Sequence, residues 1–71
     1  MNGSEFIRKI KKLGKANGVP VDLDVSRGKG SHATLHYGSA FTVVRNLKDE
    51  LKTGTLHGML AQLGLSKDDL K

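Results

Sequence analysis

Three histidines, His32, His36 and His57, are the residues of this 71-residue chain best suited to chemistry. An imidazole exchanges protons near neutral pH, and it also binds metal ions. His32 and His36 are four residues apart, a spacing that would suit a shared zinc ion on a helix. Apolar and polar residues alternate around them, which is typical of a strand, where this spacing separates the two side chains by roughly 13 Å. The pattern therefore favours proton transfer and predicts no metal site.

A glycine-rich basic segment, Arg27-Gly28-Lys29-Gly30, directly precedes Ser31 and His32. Its glycines favour a tight turn, and its two cations suit contacts with phosphate. A hairpin turn and a phosphate-binding loop are both compatible with this composition. The segment lacks the spacing and the following helix of a nucleotide-binding P-loop. Ser31 and His32 are not a nucleophile–base pair either, because neighbours on a strand point to opposite faces.

The overall charge favours a polyanionic partner. Twelve Lys and Arg against seven Asp and Glu give a net charge of +5, which suits nucleic acid, an anionic membrane surface or an acidic protein. The chain has no cysteine, which fits a reducing compartment, and no apolar run long enough to cross a membrane. We expect a cytoplasmic protein with one domain over residues 1–71 and no membrane partner.

The elements that position these residues begin with a helix predicted over residues 4–13, with Ser4 as N-cap and Gly14 as its end. Its apolar residues recur at the helical spacing of a core-facing stripe. The opposite arc is entirely basic, and Lys9 and Lys12 are the candidates there for contact with nucleic acid. The arc consists of Arg8, Lys9, Lys11, Lys12 and Lys15.

Two strands follow, with apolar residues at alternate positions from Val21 and again from Ala33. A register slip of one residue would exchange their faces, so the pattern predicts the pairs Val25–Ala33, Leu23–Leu35 and Val21–Tyr37. The other face then carries three pairs of polar residues: Ser26–His32, Asp24–Thr34 and Asp22–His36. Asp24 is a diagonal neighbour of both histidines.

A third strand is predicted over residues 40–45, and its register has two solutions. Pairing Tyr37 with Phe41 places Thr42 opposite His36 and Asn46 alongside His32. A two-residue turn at Gly38-Ser39 inverts the strand instead. The pattern does not decide between the two arrangements.

The last helix is predicted over residues 55–63, ending at Gly64 with Leu65 folding back, after an irregular charged stretch and before a polar tail over residues 66–71. The fold class is therefore α+β: an α-β-β-β-α order, like that of double-stranded-RNA-binding domains, with both helices on one face of a three-stranded antiparallel sheet. The expected core residues are Phe6, Ile10, Leu23, Val25, Leu35, Leu56, Leu60 and Leu63.

The open sheet face would present His32 to a partner. RNA carries its own nucleophile, the 2′-hydroxyl, so its cleavage requires a proton acceptor and charge stabilisation but no cofactor. Three hypotheses remain open on the residues alone: a ribonuclease that uses His32, a non-catalytic RNA-binding module, and a subunit that binds an acidic protein.

Four motifs in order resemble the HicA family of bacterial toxins. They are Ser4-Glu5-Phe6, Gly30-Ser31-His32, Gly54-Thr55-Leu56 and Leu60-Ala61-Gln62-Leu63-Gly64-Leu65. The resemblance implies an mRNA interferase, a metal-independent endoribonuclease with the fold described above, and a HicB-like antitoxin that covers its active site. The family's catalytic histidine corresponds to His32, and we expect Arg27, Lys29, Gly30 and Ser31 to contact RNA beside it.

The chain departs from the family in one respect. Where the family often has Pro-x-His after the third strand, this chain has Val44, Arg45 and Asn46. Asparagine forms hydrogen bonds but does not transfer protons, which leaves open whether Asp24, His36 or Asn46 assists His32.

Overall fold

The computed structural model describes residues 1–25, 33–45 and 47–70. Its elements are helix α1 (Gly3–Asn17), strands β1 (Val21–Val25), β2 (Ala33–Tyr37) and β3 (Ala40–Val44), helix α2 (Thr53–Gln62) and a C-terminal 3₁₀ helix (Lys67–Leu70). The strands form one antiparallel sheet in the order β1-β2-β3. The predicted α-β-β-β-α arrangement is confirmed.

Helix α1 is longer at both ends than the sequence pattern indicates. Its N-cap is Asn2, whose side-chain oxygen accepts from the backbone N–H of Glu5 at 2.9 Å, while the Glu5 carboxylate accepts from the Asn2 N–H. Ser4, the predicted cap, is inside the helix, where its hydroxyl donates to the Leu47 carbonyl. The helix ends at Gly18, which has a φ of 69°, a conformation that favours glycine.

Gly14, the predicted end of α1, is instead a buried helical residue at a close approach to the sheet. A Cβ atom at this position would lie 2.8 Å from the Val19 carbonyl oxygen and would collide with the Val21 side chain. Glycine is therefore required here by tertiary contact. The Gly14 carbonyl accepts from the Val19 N–H at 2.8 Å, the bond that closes α1 four residues later, beyond Gly18.

We expect Gly14→Ala to destabilise the fold although alanine is the better helix former. Overpacking against backbone costs about 1–3 kcal/mol, more than the gain of up to about 1 kcal/mol in helix propensity. Gly58→Ala is the matched control, because Gly58 is helical with nothing within 4 Å of an added Cβ, and it should be stabilising. Urea unfolding measures both; equal shifts of the same sign would contradict this account.

The predicted register between β1 and β2 is confirmed. Val21 pairs with Tyr37, Leu23 with Leu35 and Val25 with Ala33. The inward side of β2 is well buried, with both Ala33 and Leu35 essentially inaccessible. The alternating pattern was sufficient to predict this register, because one sheet face is covered by helices and the other is open.

Of the two registers left open between β2 and β3, the structure has the one with a two-residue turn, and the pairing of Tyr37 with Phe41 is wrong. Tyr37 pairs with Ala40 across Gly38-Ser39, so Phe41 lies opposite His36 and not opposite Tyr37. Gly38 takes a positive φ of 62°, which a tight hairpin requires. Thr42 consequently faces the core.

Thr42 is the one buried polar residue among those described, with 1% of its surface exposed. Its hydroxyl donates to the side-chain oxygen of Gln62 at the end of α2. A buried hydroxyl without a partner would be costly, so this bond allows β3 to turn a threonine inward.

The core lies between the two helices and the inward sheet face. Six of the eight expected core residues are buried, and Leu23 is half-buried against the same cluster. The prediction that Val25 belongs to the core is wrong, because 60% of its surface is exposed. The buried members of the expected set are Phe6, Ile10, Leu35, Leu56, Leu60 and Leu63.

The C-terminal part of the chain is more ordered than a polar tail. After α2, Gly64 has a φ of 73° and the Leu65 N–H donates to the Leu60 carbonyl at 2.8 Å, which is the expected Schellman-type end. The following 3₁₀ helix packs on α1, and its Leu70 contacts the core. Asp69 caps this helix by accepting from the Ser66 N–H at 2.8 Å.

Candidate functional site

The predicted catalytic residue and its loop lie outside the described residues. These are His32 and the RNA-binding candidates Arg27, Lys29, Gly30 and Ser31, together with Asn46, the proposed neighbour of His32. The described residues that flank the loop are Val25 at the end of β1 and Ala33 at the start of β2, and these two are paired. The sequence thus connects the candidate loop to one defined end of the sheet.

This end of the sheet is also where β3 finishes and α1 begins. Ala33 pairs with Val44 on its other side, so the first residue of β2 is held between both neighbouring strands. A Cβ atom on Gly3 would lie 3.0 Å from the Val44 side chain, which shows how closely the start of α1 approaches the sheet. The residue that follows His32 is therefore fixed by pairing on two sides and by burial beneath it.

The open sheet face carries the polar residues that the β1–β2 register assigns to it. Asp22 pairs with His36 and Asp24 with Thr34, and both carboxylates are exposed. His36 and Thr34 are half-buried on the central strand. Two acidic side chains thus lie along β1, and His36 is brought next to one of them.

On the third strand the same face is apolar, which sequence analysis did not predict. Phe41 is 58% exposed and Val43 is 44% exposed. The Phe41 and His36 rings are cross-strand neighbours, with centroids 6.0 Å apart and planes inclined by 39°. The signal that could have found this pair was the Gly38-Ser39 dipeptide, because a two-residue hairpin reverses the faces of β3.

Lys9 and Lys12, the two candidates on α1, are exposed. They line a groove of about 260 Å³ with Leu13 and with Asp69 and Leu70 of the 3₁₀ helix. The linear sequence indicated an entirely basic arc on α1, but in the fold a carboxylate, that of Asp69, also borders this arc. Asp69 lies beside Lys9 and Lys12, whereas Arg8, Lys11 and Lys15 are exposed elsewhere on the helix surface.

The described part of the chain contains no group of three or more His, Asp or Glu side chains positioned to hold a metal ion. His57 is exposed on α2, far along the chain from the other histidines. Within the same described ranges, none of the helices has the length and apolar character needed to cross a bilayer.

In comparisons with protein-family models, curated proteins and solved structures, the chain has no significant match. The resemblance to the HicA family therefore depends on the four motifs quoted above.

Proposed function

We propose that this protein is the toxin of a bacterial type II toxin–antitoxin system, a cytoplasmic endoribonuclease that cleaves mRNA with His32 as general acid and base. The observation that carries the proposal is the motif Gly30-Ser31-His32, which directly precedes a residue that is buried and paired on both sides in the sheet. His32 precedes Ala33, which pairs with both neighbouring strands, and consecutive Cα atoms are only about 3.8 Å apart. Catalytic groups need such support from rigid elements.

The proposed reaction uses no metal and no cofactor. His32 accepts the proton of a ribose 2′-hydroxyl, whose oxygen attacks the adjacent phosphorus as the bond to the 5′-oxygen breaks. A proton returns to the departing 5′-oxygen, which gives a 2′,3′-cyclic phosphate and a 5′-hydroxyl end. Arg27 and Lys29 neutralise charge on the phosphate, with the backbone of Gly30 and Ser31 beside it. Lys9 and Lys12 contribute further contacts to the RNA backbone.

The test is incubation of the purified protein with an unstructured RNA in excess chelator. Cleavage should proceed, the new ends should carry 2′,3′-cyclic phosphate or its hydrolysis product, and DNA of the same sequence should survive because it lacks the 2′-hydroxyl. Inhibition by the chelator, or cleavage of DNA, would contradict the proposed chemistry.

The alternative is a non-catalytic RNA-binding module, which the exposed cations Arg8, Lys11 and Lys15 of α1 also support. It predicts RNA binding without new RNA ends in the assay above. The HicB-like antitoxin that we propose as protein partner would bury His32, so its addition should abolish cleavage under the toxin hypothesis.

Both hypotheses predict electrostatic binding through the basic loop. Replacing Lys29 by Gln should weaken RNA binding and reduce the slope of log affinity against log salt by about 0.7, the value for one contact with a single strand. Lys67→Gln is the control, because Lys67 lines a groove with His57 and Leu65 that is separate from the groove lined by Lys9 and Lys12. Titrations at four or five salt concentrations measure the slopes, and equal slopes for the two variants would remove Lys29 from the interface.

A further inference from the structure

We infer that Phe41, His36 and Arg45 form a platform on which bases of single-stranded RNA stack, so that the RNA strand crosses the open sheet face along β3. This inference extends the proposed function by naming the form of RNA that the site accepts. Aromatic rings, imidazoles and guanidinium planes are the side chains that stack on unpaired bases. Phe41 lies on β3, His36 lies opposite it on β2, and Arg45 directly follows β3.

The geometry of the rings favours stacking. Phe41 and His36 are directly opposite each other on β3 and β2, and their ring centroids are 6.0 Å apart. More than half of the Phe41 surface is exposed, although a free phenyl ring gains nothing from contact with water. Two neighbouring planar groups on an open sheet are the arrangement with which sheet proteins hold successive bases.

The distribution of charge indicates along which edge of the sheet the RNA lies. Asp22 and Asp24 are exposed along β1, where they repel phosphates. Along β3 there is no carboxylate, and Arg45 directly follows the strand and is exposed. Arg45 also shares a groove with Asp49, Glu50 and Lys52, of which Glu50 pairs with the N-terminal amine. A phosphate backbone is therefore disfavoured along β1 and better accommodated along β3.

A groove of about 390 Å³ continues this surface. Phe41, Val43 and Arg45 form one wall, and Thr55, Gly58 and Gln62 of α2 lie across from them. From the Phe41–His36 pair to Ala33 is three residues along β2, or roughly 10 Å, so one oligonucleotide could reach both the platform and the residue next to His32.

A binding experiment tests the platform independently of catalysis. The probe is a single-stranded RNA oligonucleotide with 2′-O-methyl groups, which removes the nucleophile, and its Kd is measured by fluorescence anisotropy. Phe41→Leu keeps an apolar side chain but removes the ring, and Phe41→Tyr keeps the ring. Because Phe41 is exposed, both variants should fold.

We expect Phe41→Leu to raise Kd about tenfold, which corresponds to about 1.4 kcal/mol and lies within the range for one stacked base. Phe41→Tyr should bind like the wild type. The salt slope should not change, because stacking releases no counterions. Affinity for an RNA duplex should be the same in all three proteins, since paired bases are not free to stack on a side chain.

Equal affinity of Phe41→Leu and the wild type for the single strand would overturn the platform and assign the exposed apolar pair to a protein partner. A tenfold loss together with no cleavage of unmodified RNA would support the platform and refute the endoribonuclease. If the protein cleaves unmodified RNA but its binding does not depend on Phe41, the endoribonuclease would be supported and the platform refuted. The two hypotheses therefore fail separately.

Discussion

Replacing His32 by Gln is expected to slow RNA cleavage by a factor of about 10²–10⁴, the usual contribution of a general acid or base. Glutamine keeps hydrogen-bonding capacity and similar bulk but does not exchange protons near neutral pH. RNA affinity should change little, because binding depends on the cations and stacking groups and not on proton transfer. Single-turnover cleavage with excess protein measures the rate without interference from product release.

His36→Gln is the matched control for this prediction. His36 is on the same strand, but it is paired with Asp22 and packed beside Phe41. Its replacement should weaken binding to the single strand modestly and leave the rate for bound RNA within a few-fold of wild type. Equal cleavage rates for His32→Gln and the wild type would refute the catalytic assignment and favour the RNA-binding module.

Truncating Leu60 to Ala is expected to cost about 2–5 kcal/mol of unfolding free energy. Leu60 is 2% exposed at the centre of the face that α2 turns to the core, and its carbonyl also accepts the bond that ends this helix. Total stabilities run near 0.05–0.15 kcal/mol per residue, so a chain of 71 residues has about 4–11 kcal/mol in all. The variant should be partly unfolded at moderate temperature.

Val25→Ala is the informative control for the core. The sequence pattern assigns Val25 to the core, but its 60% exposure predicts a loss of about 0.5 kcal/mol or less. Chemical denaturation of both variants compares the costs. A loss at Val25 as large as that at Leu60 would show that the exposed end of β1 is covered in solution.

The order of elements, the two helical stripes and the β1–β2 register follow from the sequence alone. They are determined by apolar periodicity, and periodicity records which side of each element is removed from water. For β1 and β2 this is decisive, because a slip of one residue would bury Asp22 and Asp24 and expose Leu23 and Leu35. The glycine end of α2 is equally local, since Gly64 can take a positive φ that other residues resist.

The orientation of β3 required the tertiary structure. Its sequence, Ala-Phe-Thr-Val-Val, has almost no alternation, so both registers were compatible with the pattern. The hydrogen bond from Thr42 to Gln62 shows what makes the inward threonine acceptable, and its partner is 20 residues away along the chain. The exposed Phe41 and Val43, and with them the stacking platform, are consequences of that choice.

Contacts between distant segments decided the remaining differences. Local sequence rules predict that Gly14 ends the first helix, but in the fold Gly14 is a buried helical residue where α1 meets Val19 and Val21. Asp69 is far from the basic arc in sequence, yet the C-terminal 3₁₀ helix places it beside Lys9 and Lys12. Sequence patterns report the preferences of single elements; which elements meet, and which charges therefore become neighbours, is determined only by packing all of them around one core.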